Sequence, residues 1–154
     1  MDTSNFSKWH KWLDRSQINN LNYPGVYVLS YSEEDISNVK FSFIEDIIYV
    51  GVTNSLKGLK SRLKQFDDTI KNLDLWDIHG GAERVRFAYR DYIKLISKLY
   101  VSIYFFKCDV GLKKAEDLRI MGEVVKLEYD CFAEYVEKYG ILPRFNDMKR
   151  SPKK

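Results

Sequence analysis

The chain has 154 residues, 45% of them hydrophobic and 15% aromatic, enough for one sizeable core and too few for two comfortable domains, so a single domain over residues 1–154 is expected. Formal charge is only +3, from 25 Lys and Arg against 22 Asp and Glu, too mild to identify a nucleic-acid partner from the total alone. No apolar run approaches a bilayer span, Met1 to Asn20 does not read as a signal peptide, and the widely spaced Cys108 and Cys131 suggest reduced thiols rather than a structural zinc site; a soluble cytoplasmic protein without a membrane partner is expected.

Phe6, Trp9, Trp12 and Leu13 recur at helical spacing, which predicts a short helix within an N-terminal extension, residues 1–23. Asn22-Tyr23-Pro24-Gly25 breaks that pattern. Val26 to Tyr31 and Ile47 to Val50 are β-branched and aromatic and read as strands, with Val39 to Ile44 extending a hairpin between them. Leu56, Leu59, Leu63, Phe66 and Ile70 step by three and four, predicting an amphipathic helix from Leu56 to Ile70 with Arg62 at the border of its apolar stripe. Asp77-Ile78-His79-Gly80-Gly81 reads as a turn and Ala82 to Lys98 as a helix. Leu99 to Phe106 is the third strand. Leu112 to Lys138 reads as a helix with an interruption near Gly122, ended by Gly140 in the left-handed cap position and kept from resuming by Pro143.

One residue is out of place on that last helix. At 3.6 residues per turn, Val124, Val125, Cys131, Phe132, Tyr135 and Tyr139 form one apolar arc with Glu128 near its centre, whereas Glu123, Lys126, Asp130, Glu134 and Glu137 fall on the other side. A carboxylate on an apolar face costs several kcal/mol of desolvation unless a cation or strong donors meet it. Two compensations fit: a buried ion pair with an arginine, or a metal ion at the floor of a cleft.

The basic residues gather at Lys57, Lys60, Arg62 and Lys64, at Arg84, Arg86 and Arg90, and in the tail at Lys149, Arg150, Lys153 and Lys154. In Gly25-Val26-Tyr27 and Tyr49-Val50-Gly51 each tyrosine points opposite to its β-branched neighbours, so both phenols share one face if the strands pair.

The ordered set Gly25-Val26-Tyr27, Tyr49-Val50-Gly51, Arg62, Glu128 and Asn146 resembles the GIY-YIG nuclease family over roughly Pro24 to Asn146, and His79-Gly80-Gly81 is similar to a turn found in a phage and restriction-associated branch of it. The resemblance implies an α+β fold, a small central antiparallel sheet of about three strands flanked by helices in a GIY-YIG-like α/β sandwich, with residues 24–146 as catalytic core and 147–154 as a basic tail. It implies an endonuclease acting on DNA rather than RNA, with one Mg²⁺ or Mn²⁺ ion held by Glu128. Glu134 is the rival ligand, but lies on the polar side.

By the same resemblance Tyr27 takes a proton from the attacking water, Tyr49 positions the water or relays the proton, Arg62 meets the scissile phosphate, His79 contacts phosphate or assists proton transfer, and Asn146 organises the site. A phenol with an unperturbed pKa of about 10 needs a neighbouring cation for such work. Lys57, Lys60, Lys64, Arg84, Arg86 and Arg90 are the candidate contacts to the nucleic-acid backbone. Since the catalytic module consumes nearly the whole chain, specificity falls to loops, a homodimer or a partner protein. A binding module that keeps the fold without cleavage is the competing expectation.

Overall fold

The computed structural model describes residues 1–72 and 79–153; Asp77, Ile78 and Lys154 of the readings above lie outside the described residues. The chain is α+β, with an antiparallel sheet of strands β1 (His10–Lys11), β2 (Gly25–Tyr31), β3 (Ile47–Thr53) and β4 (Leu99–Phe105), and helices α1 (Gly58–Ile70), α2 (Gly80–Ala88), α3 (Tyr92–Ser97) and α4 (Ala115–Tyr139). The strand order is β1-β4-β2-β3, so the expected three strands are joined by a fourth, the two-residue β1 on the outside of β4.

β2 is the centre of the sheet, paired on both sides and covered on both faces, and Val26, Tyr27, Val28 and Leu29 have no exposed surface. Alternation along the strands sends the two sets of side chains to different cores. Tyr27 and Leu29 pack with Leu59, Leu63 and Phe66 of α1, Val85 of α2 and Leu95 of α3. Val26, Val28 and Val50 pack with Leu127, Cys131 and Tyr135 of α4 and with Phe6, Trp9, Phe41 and Phe43. β2 and β3 place Tyr27 opposite Gly51 and Leu29 opposite Tyr49, which sets both phenols on the α1 face.

Several local readings are corrected. The N-terminal aromatics form no α-helix: after β1 comes a 3-10 helix over Trp12–Gln17, because Phe6 and Trp9 enter one core and Trp12 the other, which a single helical face cannot do. Leu13 is left 60% exposed. Val39 to Ile44 is not a strand; both sides of β2 are already paired, so Phe41 and Phe43 are buried from an irregular segment. β3 continues past Val50 to Thr53, and α1 starts at Gly58, leaving Leu56 exposed.

The single helix expected over Ala82–Lys98 is two. α2 ends at Ala88, and Asp91 caps α3 by accepting the N–H of Lys94 at 3.1 Å. α4 starts at Ala115 rather than Leu112 and runs through Gly122 without a break. Gly140 terminates it at φ 77°, the left-handed cap that the sequence calls for.

Candidate active site

Tyr27 is fully buried, and its ring lies against the backbone of Gly51 on the neighbouring strand. A Cβ at Gly51 would stand 2.2 Å from Tyr27 Cζ and 2.3 Å from its hydroxyl oxygen, so the motif glycine is the seat of that ring. Tyr49 is half-buried, its ring centroid 6.0 Å from that of Tyr27. Its seat is Gly81, whose Cβ would fall 2.5 Å from Tyr49 Cε2. The second glycine of the His-Gly-Gly run therefore serves α2 packing against the sheet, a role that a turn reading of the sequence does not show. Gly80 and Gly81 already belong to α2, with His79 as its N-cap.

His79 is buried and held at three atoms. Its N–H donates to Thr69 Oγ1 on α1 at 3.2 Å, its Nδ1 accepts the N–H of Ala82 at 3.2 Å, and its Nε2 is 2.6 Å from the Tyr27 hydroxyl. Because Nδ1 is an acceptor, the ring proton of the neutral imidazole sits on Nε2 and donates to the Tyr27 oxygen. Burial, reinforced by Arg62 and Arg84, pushes the His79 pKa down to about 3, so the ring is neutral at physiological pH.

Burial also raises both phenols, Tyr27 well above its ordinary value and Tyr49 less, with Arg62 opposing the rise in each. Tyr27, the more deeply buried, is raised further than Tyr49, so Tyr49 is the phenol that ionises first. The hydrogen bonds run in one direction, the Ala82 N–H to His79 Nδ1 and His79 Nε2–H to the Tyr27 hydroxyl, with the Tyr49 ring alongside.

Arg62 is the cation common to the whole group. Half-buried on α1, it donates through Nη1 to Gln65 Oε1, while its Nε is buried without a hydrogen-bond partner. It acts on Tyr27, Tyr49, His79 and Glu128. Glu128 reaches this group from α4 on the other face of the sheet. The buried face of α4 is Val124, Leu127, Cys131 and Tyr135, with Val125 43% exposed; Glu128 therefore stands at the border of the packed surface rather than at its centre. It is half-buried, makes no ion pair among the described residues, and has its pKa raised by burial against the pull of Arg62. The rival Glu134 is occupied by the N-terminal ammonium of Met1 at 3.1 Å.

Two asparagines fix the frame. Asn146, in a 3-10 turn over Arg144–Asn146, accepts the Val50 N–H through Oδ1 and donates through Nδ2 to the Val50 carbonyl, both at 2.9 Å. It thus clasps the outer edge of β3 between Tyr49 and Gly51. Asn54, in the loop between β3 and α1, donates to the Met121 carbonyl of α4 at 3.0 Å, tying the Arg62 helix's approach to the Glu128 helix.

The basic residues divide. Lys57, Lys60 and Lys64 form one stripe of α1 at steps of three and four, on the opposite side of that helix from Arg62, and Lys64 pairs with Asp68 at 2.5 Å. Arg86 donates to Asn72 and, with Arg90 and Lys153, lines a separate concavity of about 470 Å³. Arg84 alone of its cluster acts on the site, through Tyr49 and His79. Among the described residues no three His, Cys, Asp or Glu side chains gather into a metal site. No family model, curated protein or solved structure matches this chain.

Proposed function

We propose that the chain is a metal-dependent endonuclease that hydrolyses DNA phosphodiester bonds on the GIY-YIG plan. The observation that carries the reading is a cluster of titratable groups from separate elements, the Tyr27 hydroxyl 2.6 Å from His79 Nε2 and the Tyr49 ring 6.0 Å from that of Tyr27 and 5.7 Å from that of His79, with Arg62 acting on all three and on the unpaired Glu128. A structural core has no use for two coupled phenols, a proton-poor imidazole and an unpaired carboxylate around one arginine; a reaction that moves a proton beside a phosphate does. Glu128 fits a divalent cation because its carboxylate is half-buried and without an ion-pair partner among the described residues, leaving the remaining coordination positions to water and phosphate oxygens. Bound there, Mg²⁺ or Mn²⁺ would polarise the phosphate and offset charge on the leaving oxygen.

The chain's own residues divide the remaining work. Arg62 supplies the positive charge that meets the phosphate and stabilises charge that builds on its oxygens. Tyr49, the phenol that ionises first, takes the proton of the attacking water. Tyr27 is fully buried and its hydroxyl is held by His79 Nε2–H, so it is a positioning residue; this reverses the roles that the family pattern implies for the two tyrosines. DNA rather than RNA rests on the resemblance of the motifs alone.

The test is cleavage of supercoiled plasmid by the protein and by Glu128→Ala, with Mg²⁺, Mn²⁺ or EDTA. Metal-dependent nicking lost in the variant supports the reading. Salt-dependent binding with no cutting of duplex, branched or single-stranded substrate supports a non-catalytic nucleic-acid module instead. Since Tyr49 is raised above 10, the cleavage rate should climb with pH through neutrality. Tyr49→Phe should abolish most of it, while Tyr27→Phe leaves slower cleavage with its pH profile displaced upward.

A further inference from the structure

The three arginines of α2 and its C-terminal flank, Arg84, Arg86 and Arg90, look equivalent in sequence. Helix phase separates them. Gly81 is the residue of α2 pressed against Tyr49, and Arg84, three positions on, lies one turn along the same side of the helix. Arg86 is displaced by more than a third of a turn from Gly81 and is bonded to Asn72. Arg84 is half-buried and has no carboxylate partner among the described residues; its neighbour Glu83 is taken by Lys153 at 2.7 Å. A half-buried guanidinium left without a counter-charge, acting on the same Tyr49 and His79 as Arg62, is poised for an anion.

The two arginines do not address the same place. Arg62 acts on Glu128 as well as on the phenols and His79, whereas Arg84 acts on Tyr49 and His79 and not on Glu128. Arg84 therefore approaches Tyr49 from α2, whereas Glu128 approaches from α4.

We propose that Arg84 binds the phosphate next to the one that Arg62 holds, so that the site takes a polynucleotide strand running from Glu128 past Tyr49 toward α2, and not an isolated phosphodiester. This rests on the nuclease reading for the identity of the strand, but the second phosphate subsite stands or falls by itself. Lys57, Lys60 and Lys64 are excluded from that path because they face away from Arg62.

The experiment uses the full chain and Arg84→Gln, with Arg86→Gln as the comparison and Arg84→Lys as the charge-conserving control. In Mn²⁺, hydrolysis of a short DNA oligonucleotide is compared with that of bis(para-nitrophenyl) phosphate, which has one phosphate. Arg84→Gln should raise KM for the oligonucleotide on the order of tenfold and lower the slope of log affinity against log salt by about one, while KM for the single-phosphate ester stays as in the wild type and kcat falls by a common factor on both substrates, because Arg84 also acts on Tyr49. Arg84→Lys should recover part of the loss and Arg86→Gln should resemble the wild type. An equal rise of KM on both substrates, or an unchanged oligonucleotide KM, overturns the proposal. If the wild type hydrolyses neither, the nuclease reading fails, and oligonucleotide binding in EDTA decides the subsite. About tenfold weaker binding with the reduced slope in Arg84→Gln sustains it, and wild-type binding in that variant removes it.

Discussion

Two carboxylates flank the same helix, and their surroundings could hardly differ more. Asp67, on α1, is 1% exposed and saturated: Oδ1 accepts from Trp12 Nε1 at 2.8 Å and from the Tyr92 hydroxyl at 2.9 Å, and Oδ2 meets Arg15 at 3.1 Å and Lys71 at 2.7 Å. Burial pushes its pKa up, but Lys71, Trp12, Arg15 and Tyr92 outweigh burial and hold it below the ordinary carboxylate range. Glu128 has burial without that escort, and its pKa is raised. A carboxylate that serves the fold is satisfied within the fold; one left half-buried and unsatisfied is available to something from outside.

The comparison breaks most visibly in activity. Glu128→Ala should lower plasmid cleavage in Mg²⁺ by about a thousandfold or more, the weight of several kcal/mol of charge stabilisation, while Asp67→Asn, measured per folded molecule, should cleave nearly as well as the wild type. Stability should reverse the ranking. Asp67→Asn removes one partner from a buried charge network and should cost about 3–5 kcal/mol in urea unfolding. Glu128→Gln should be neutral or stabilising in the same titration at pH 7. The sign follows from linkage: a carboxyl whose folded pKa is raised binds its proton more tightly folded than unfolded, so its ionisation at neutral pH opposes folding.

A smaller loss is expected from Asn146→Ala, which frees both the N–H and the carbonyl of Val50: about 1–3 kcal/mol of stability, together with loosened Tyr49 and reduced cleavage. The gentlest effect is on pH dependence. The His79 pKa falls from 6.5 to about 3 on folding, so between those values the unfolded chain binds more protons than the folded one. That contribution to stability is complete above pH 6.5 and fades as the pH drops toward 3. Urea midpoints measured at pH 7, 6 and 5 should fall faster for the wild type than for His79→Asn, and parallel curves would remove His79 from the account.

The long, periodic elements were legible in the sequence: β2, β3, β4, α1 and α4 lie within a few residues of their expected positions, and Gly140 is the cap it reads as. What escaped was decided through space. Phe6, Trp9 and Trp12 keep helical spacing yet serve opposite faces of the sheet, and no local pattern distinguishes that from one amphipathic helix. Tyr27, Tyr49, Arg62, Glu128 and Asn146 could be singled out from the ordered motifs. His79 could be named but not given its task, since its partner lies 52 residues away, and the division of Arg84 from Arg86 depends on how α2 is rotated about Tyr49. The seats at Gly51 and Gly81 were likewise invisible until the rings lay on them.

Asn146 also has a bearing on assembly. An outer strand with free N–H and carbonyl groups invites another chain to extend the sheet, and β3 would be such a strand. The asparagine side chain imitates a neighbouring backbone at Val50 and fills that position midway along it. Strand addition at β3 is thereby discouraged, and the exposed apolar side chains lie instead on a helix, where Leu118, Val125, Tyr129 and Val136 of α4 stand at steps of four and seven.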